Sequence, residues 1–108
     1  MIGEYKTIYF LSLDECHKVE DAVNASYGTT DWRDPMKVDF MDDLLCEQEY
    51  GTDCYVNLYI GEKEIEDARD FLLSEHSDDR DVRRYRLLKY LRENISSEID
   101  HLIVEVSY

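Results

Sequence analysis

A single proline, three cysteines, four glycines and no long apolar run stand out by their scarcity in these 108 residues. Each scarcity excludes something. Cys16, Cys46 and Cys54 form no CxxC pair and leave an odd number. A disulfide framework is therefore not expected, and a reducing, cytoplasmic compartment is the simplest reading. The longest uncharged apolar stretch, Thr7 to Leu13, is far too short to span a bilayer. Met1 is followed by Ile2, Gly3, Glu4 and Tyr5 with no basic segment, so neither a signal peptide nor a membrane partner is expected. Gly3, Gly28, Gly51 and Gly61 all stand where predicted elements end, and none belongs to a phosphate loop or a G-x-S-x-G elbow.

Basic residues are scarce as well. Twelve Lys and Arg face 26 Asp and Glu, for a net charge of −14. Such a surface repels phosphate backbones, so direct nucleic-acid binding is not expected; it attracts basic surfaces and speeds encounter with them. What is abundant is material for a core. The apolar fraction is 44% with nine tyrosines, a globular and not a disordered composition. A chain of this length buries about two-thirds of its unfolded surface. Residues 1–108 are thus read as a single acidic α+β domain that needs no metal or disulfide staple.

Periodicity supplies the elements. Tyr5 to Leu13 is rich in β-branched and aromatic residues and predicts a strand buried on both faces or nearly so. Ser12 and Glu15 stand in capping-box spacing, predicting a helix to about Tyr27, with Leu13, Cys16, Val19, Val23 and Tyr27 on one side and Gly28 closing it. Asp34-Pro35 predicts a second helix running to about Tyr50. Cys54 to Ile60 alternates cleanly as a strand, with Cys54, Val56, Leu58 and Ile60 on one side and Tyr55, Asn57 and Tyr59 on the other. A third helix over Glu62 to His76 buries Ile65, Ala68 and Leu72. A fourth, capped by Ser77 to Asp79, runs to about Asn94 with Leu87, Leu88, Leu91 and Ile95 as its apolar stripe. A last strand spans Leu102 to Tyr108. The order β-α-α-β-α-α-β implies a small three-stranded sheet covered on one or both faces by about four helices.

Site chemistry is thin. Cys16, His17, Cys46, Cys54, His76 and His101 show no paired spacing for zinc, and Ser77-Asp78-Asp79-Arg80-Asp81 lacks the glycine of a calcium loop. No metal, cofactor or catalytic residue is expected. The rival reading, a small enzyme with an unrecognised carboxylate site, has no particular pair to name among 26 acids.

The informative constellation is acidic. From Asp39 to Asp53 there are six acids, Asp39, Asp42, Asp43, Glu47, Glu49 and Asp53, and no base. Asp39, Asp43 and Glu47 fall at i, i+4 and i+8, a rise of about 6 Å per step. Such a row resembles a phosphate strand to a basic groove, although like charges at this spacing weaken a helix slightly. Glu66, Asp67 and Asp70 repeat the theme, and Trp32 and the tyrosines offer anchors that bury area while keeping a polar tip. The counterweight is the Arg80 to Arg92 helix, whose Arg83, Arg86 and Lys89 form a basic stripe. It is read as pairing with the protein's own acids, with a homodimer also compatible, and Arg84 is expected to meet a carboxylate inside the apolar sector.

In general character the chain is similar to phage-encoded anti-CRISPR or anti-restriction proteins, and equally to immunity proteins that neutralise nuclease toxins. This is a similarity of type and not of motif. It implies a non-enzymatic inhibitor whose partner is a basic, nucleic-acid-handling surface of a bacterial defence nuclease.

Overall fold

Ser12 opens the first helix as its spacing to Glu15 implies. Its hydroxyl accepts the Glu15 N–H while the Glu15 carboxylate receives the Ser12 N–H, a complete capping box. In the computed structural model, which describes residues 7–45 and 55–105, strand β1 (Thr7–Leu11) leads into this helix, α1 (Leu13–Ser26). A single π-helical turn (Met41–Leu45), strand β2 (Tyr55–Tyr59), helices α2 (Glu62–Leu72) and α3 (Asp79–Asn94) and strand β3 (Ile99–Glu105) follow. α1 ends at Gly28, whose φ of 70° is a left-handed conformation that a side chain would strain. α3 begins with a second capping box, between Asp78 and Asp81. The chain is an α+β fold in the predicted element order, with the π turn in the place of the second helix.

The strand order is β1-β3-β2. β3 lies at the centre, parallel to β1 and antiparallel to β2. Alternation sorts the side chains. Leu11, Val56, Leu58, Leu102 and Val104 point into the core, where they meet Cys16, Val19 and Val23 of α1 and Leu87, Leu88 and Leu91 of α3. Ile65 and Ala68 of α2 pack against the same cluster from a partly buried position. The predicted alternation of β2 and the apolar stripe of α3 are thus realised. Cys54, expected on the inner side of the second strand, and residues 106–108, expected to end the last one, lie outside the described residues.

β1 departs from the expectation of burial on both faces. Ile8 and Phe10 are about half exposed, because the core-forming helices occupy one side of the sheet only. The far side carries Ile8, Phe10, Tyr55, Asn57, Tyr59, His101 and Ile103.

The second correction concerns residues 29–45. No helix starts at Asp34-Pro35. Asp34 instead accepts the Met36 N–H at 2.8 Å in a local turn, and the Lys37 N–H bonds the Asp34 carbonyl at 3.1 Å. Val38 is held by buried Asn24 of α1, whose Oδ1 accepts the Val38 N–H at 2.8 Å while its Nδ2 donates to the Val38 carbonyl at 3.3 Å. A helix cannot run through a residue whose backbone is already paired sideways. Helical geometry therefore begins at Phe40, and the segment drives Phe40, Leu44 and Leu45 into the core. α2 also ends earlier than His76. The Ser77 hydroxyl donates to the Leu72 and Ser74 carbonyls at the turn that follows it.

Candidate functional site

The two acidic stretches singled out in the sequence, Asp39 to Asp53 and the Glu66, Asp67, Asp70 set of α2, do different work. Asp39 caps the π turn, accepting the Asp42 N–H at 3.0 Å. Asp43 is not on the surface. It is 4% exposed, its Oδ2 accepts the Asp39 N–H at 2.8 Å, and its Oδ1 accepts Arg83 Nε at 3.1 Å. The expected ridge of Asp39, Asp43 and Glu47 is thus broken at its middle member. Phe40, Leu44 and Leu45 carry Asp43 inward with them, and a buried carboxylate requires a partner. Asp39 and Asp42 remain exposed, and Glu47, Glu49 and Asp53 lie outside the described residues.

The basic helix is largely used internally. Arg83 donates to the Pro35 carbonyl at 2.6 Å as well as to Asp43, and Arg80 donates to the Asp42 carbonyl at 2.8 Å. Arg86 lies 3.9 Å over the Tyr27 ring, a cation–π contact. Lys89 pairs with Glu93 at 3.9 Å, and Arg92 binds the Ile60, Ile95 and Ser96 carbonyls. Among the described residues Arg84 forms no ion pair with a carboxylate. Asp43 is already committed to Arg83 and the Asp39 N–H, and Arg84 Nη1 reaches the Leu44 carbonyl at 3.4 Å.

The second acidic group is the surface candidate. Glu62, Glu66 and Asp70 recur at i, i+4 and i+8 along α2, so the row sought around Asp43 is realised here, with about 6 Å of rise per step. Between residues 62 and 79 there are eight acids and two bases, Lys63 and Arg69, and all eight carboxylates are exposed. The same stretch exposes Phe71 and Leu73, the latter at 85%. Sequence periodicity had no reason to single out these two, since both sit in a predicted helix. An open cleft of about 280 Å³ beside Phe71 at the end of α2 is lined also by Asp43, Arg80, Asp81 and Arg84. Trp32 is 81% exposed on a separate turn after α1, with the Arg33 guanidinium 5.9 Å from its ring.

The perturbed titrations lie elsewhere. The Tyr9 hydroxyl donates to Glu15 at 2.7 Å, which holds the carboxyl below its ordinary range and raises the phenol. Burial raises the Glu20 carboxyl, against the opposing effect of the Phe40 N–H that it accepts at 2.7 Å. Burial, with Glu20, Glu15 and Glu105 nearby, pushes the Cys16 thiol up to about 12, so it is not a nucleophile at neutral pH. Among the described residues no group of three or more His, Cys, Asp or Glu could hold a metal ion, and no helix is long and apolar enough to cross a membrane. A cleft of about 540 Å³ is lined by Glu62, Glu66, Arg69, Asp100 and Arg92, and the Arg92 guanidinium is already spent on backbone carbonyls. No protein-family model matches the chain, and no curated protein or solved structure matches it significantly.

Proposed function

We propose that this protein is an inhibitor that binds another protein, with the acidic face of α2 occupying the basic, nucleic-acid-binding surface of an enzyme such as a bacterial defence nuclease. The observation that supports this is the exposed row Glu62, Glu66, Asp70 with Asp67 alongside, in which, among the described residues, only Asp70 pairs with a neighbouring base, Arg69 at 4.0 Å, and which is flanked by exposed Phe71 and Leu73. Carboxylates repeating along a rigid rod offer a basic groove what a phosphate strand offers. The two apolar side chains supply what a phosphate strand lacks, a desolvated anchor that slows dissociation.

Arresting a CRISPR effector and covering a toxin nuclease place the same demand on this surface. The experiment is a DNA- and RNA-cleavage panel of CRISPR effectors, restriction nucleases and nuclease toxins, run with the wild type and with a Glu66→Lys, Asp67→Lys, Asp70→Lys variant. These positions are exposed, so the variant is expected to fold, with each change costing within about 0.5 kcal/mol. Wild type should inhibit at least one enzyme with an on-rate that falls steeply with salt, and the variant should not. Equal inhibition by both proteins removes α2 from the interface.

A further inference from the structure

We infer that the open face of the sheet is the contact surface for a second copy of this chain, giving a face-to-face dimer that leaves both α2 helices outward. The inference is independent of the inhibitor reading.

In a sheet covered on one side, the other side is normally solvated and polar. Here it is not. Ile8, Phe10, Tyr55 and Tyr59 are between 47% and 51% exposed on that face. They are ordered against one another. The Phe10 and Tyr55 rings meet edge to face at 5.4 Å, and since β1 and β2 flank β3, they close over the central strand. Tyr59 stacks on His101 at 4.6 Å, and His101 Nε2 lies 2.8 Å from Asn57 Oδ1. This makes a flat aromatic platform with a small polar centre.

Charge selects the occupant. In a chain that is 35% charged, Ile8, Phe10, Tyr55, Asn57, Tyr59, His101 and Ile103 include no Asp, Glu, Lys or Arg. Glu105, farther along β3, is turned aside to accept the Leu13 N–H at 3.2 Å. A basic enzyme is recognised by carboxylates and would gain nothing specific here. Two copies at −14 each repel across most of their surface, whereas the described residues of this face carry no carboxylate of their own, and Glu64 and Asp67 of α2 border it only at its rim, in a cleft beside Tyr59. Single strands of nucleic acid also stack on aromatic sheet faces, but they require basic side chains around the platform, and none of the seven residues of this face is Lys or Arg.

The area fits a modest dimer. Half-exposed side chains of this size present about 100 Å² each, so the four large ones give about 400 Å². With Asn57, His101 and Ile103, two copies bury on the order of 1,000 Å², the lower bound for a specific contact. Two twisted sheets pack face to face about 10 Å apart, and a two-fold axis makes the patch self-complementary.

The test is sedimentation velocity on the full chain across the micromolar range, at low and high salt. A reversible monomer–dimer equilibrium is expected, and it should tighten with salt as self-repulsion is screened. Binding of the basic partner through α2 should weaken with salt, so the two associations carry opposite signs. The Phe10→Lys, Tyr59→Lys variant should raise the dimer Kd at least ten-fold. A Phe10→Ser, Tyr55→Ser variant should do the same, should the lysines disturb folding. Glu66→Lys, Asp67→Lys, Asp70→Lys should dimerise at least as well as wild type even where it loses inhibition. A wild type that is monomeric throughout, a dimer that survives both face variants, or a labelled oligothymidylate that binds the face would each overturn the inference.

Discussion

Removing the Asp43 carboxylate tests whether the acids of the π turn are structural. The relevant pair is Asp43, 4% exposed, and Arg83, whose side chain is 21% exposed, joined at 3.1 Å. Asp43→Ala deletes two acceptors, one for Arg83 Nε and one for the Asp39 N–H. Breaking a fully buried ion pair from one side costs about 3 to 5 kcal/mol. Arg83 keeps the Pro35 carbonyl and some contact with water, which moderates that figure. The lost cap on Asp39 adds about 1 kcal/mol. The expected destabilisation is about 2 to 4 kcal/mol, a fall in Tm on the order of 10 °C for a domain this size. Urea melts of Asp43→Ala, Arg83→Met and the double variant close the cycle. The double variant should be less destabilised than the sum of the singles, because the second change removes the charge that the first left unpaired. Strict additivity, or an Asp43→Ala loss under 0.5 kcal/mol, would refute the reasoning and return Asp43 to the surface.

Two further outcomes are expected. Asn24→Ala should cost about 2 to 4 kcal/mol by urea denaturation, since it strands the Val38 N–H and carbonyl that Asn24 pairs in the interior; a loss within 0.5 kcal/mol would mean that the 29–39 segment is held by something else. Glu20 carries a carboxyl raised by burial, so its contribution is fully present below the ordinary carboxyl value and is lost as pH rises through its raised one. Glu20→Gln, which can still accept the Phe40 N–H, should therefore gain Tm relative to wild type across that window and keep the gain at neutral pH; a gap independent of pH would show that burial does not penalise the charge.

Where the chain's local chemistry is self-sufficient, the sequence was readable. Ser12 and Glu15 form their capping box within four residues, Gly28 stops α1 through its own backbone, and the alternation of β2 needs no partner to be seen. Where a distant side chain decides, it was not. Asp34-Pro35 carries every local mark of a helix start, but the Val38 backbone is claimed by Asn24, fourteen residues earlier. Asp43 sits between Phe40 and Leu44, and that apolar company, together with Arg83 on another predicted helix, was the available sign that it is buried. The exposed aromatic face was hidden for a third reason. A run such as Ile8 to Leu11 reads the same whether its sheet is covered on one side or two, and only the placement of the helices distinguishes the cases.

The strand at the centre of the sheet is the last of the described elements to leave the ribosome. Thr7 waits for Ile99, across about 90 intervening residues, and β1 and β2 are never neighbours without β3 between them. Until residue 105 is available, synthesis holds two half-apolar strands with both edges open, the condition under which nascent chains stick to one another. Helices α2 and α3, adjacent in sequence, can pair early, but the sheet closes in one late event. Through that interval the excess of carboxylates makes neighbouring unfinished chains repel one another, a consequence of the charge that does not wait for a folded surface.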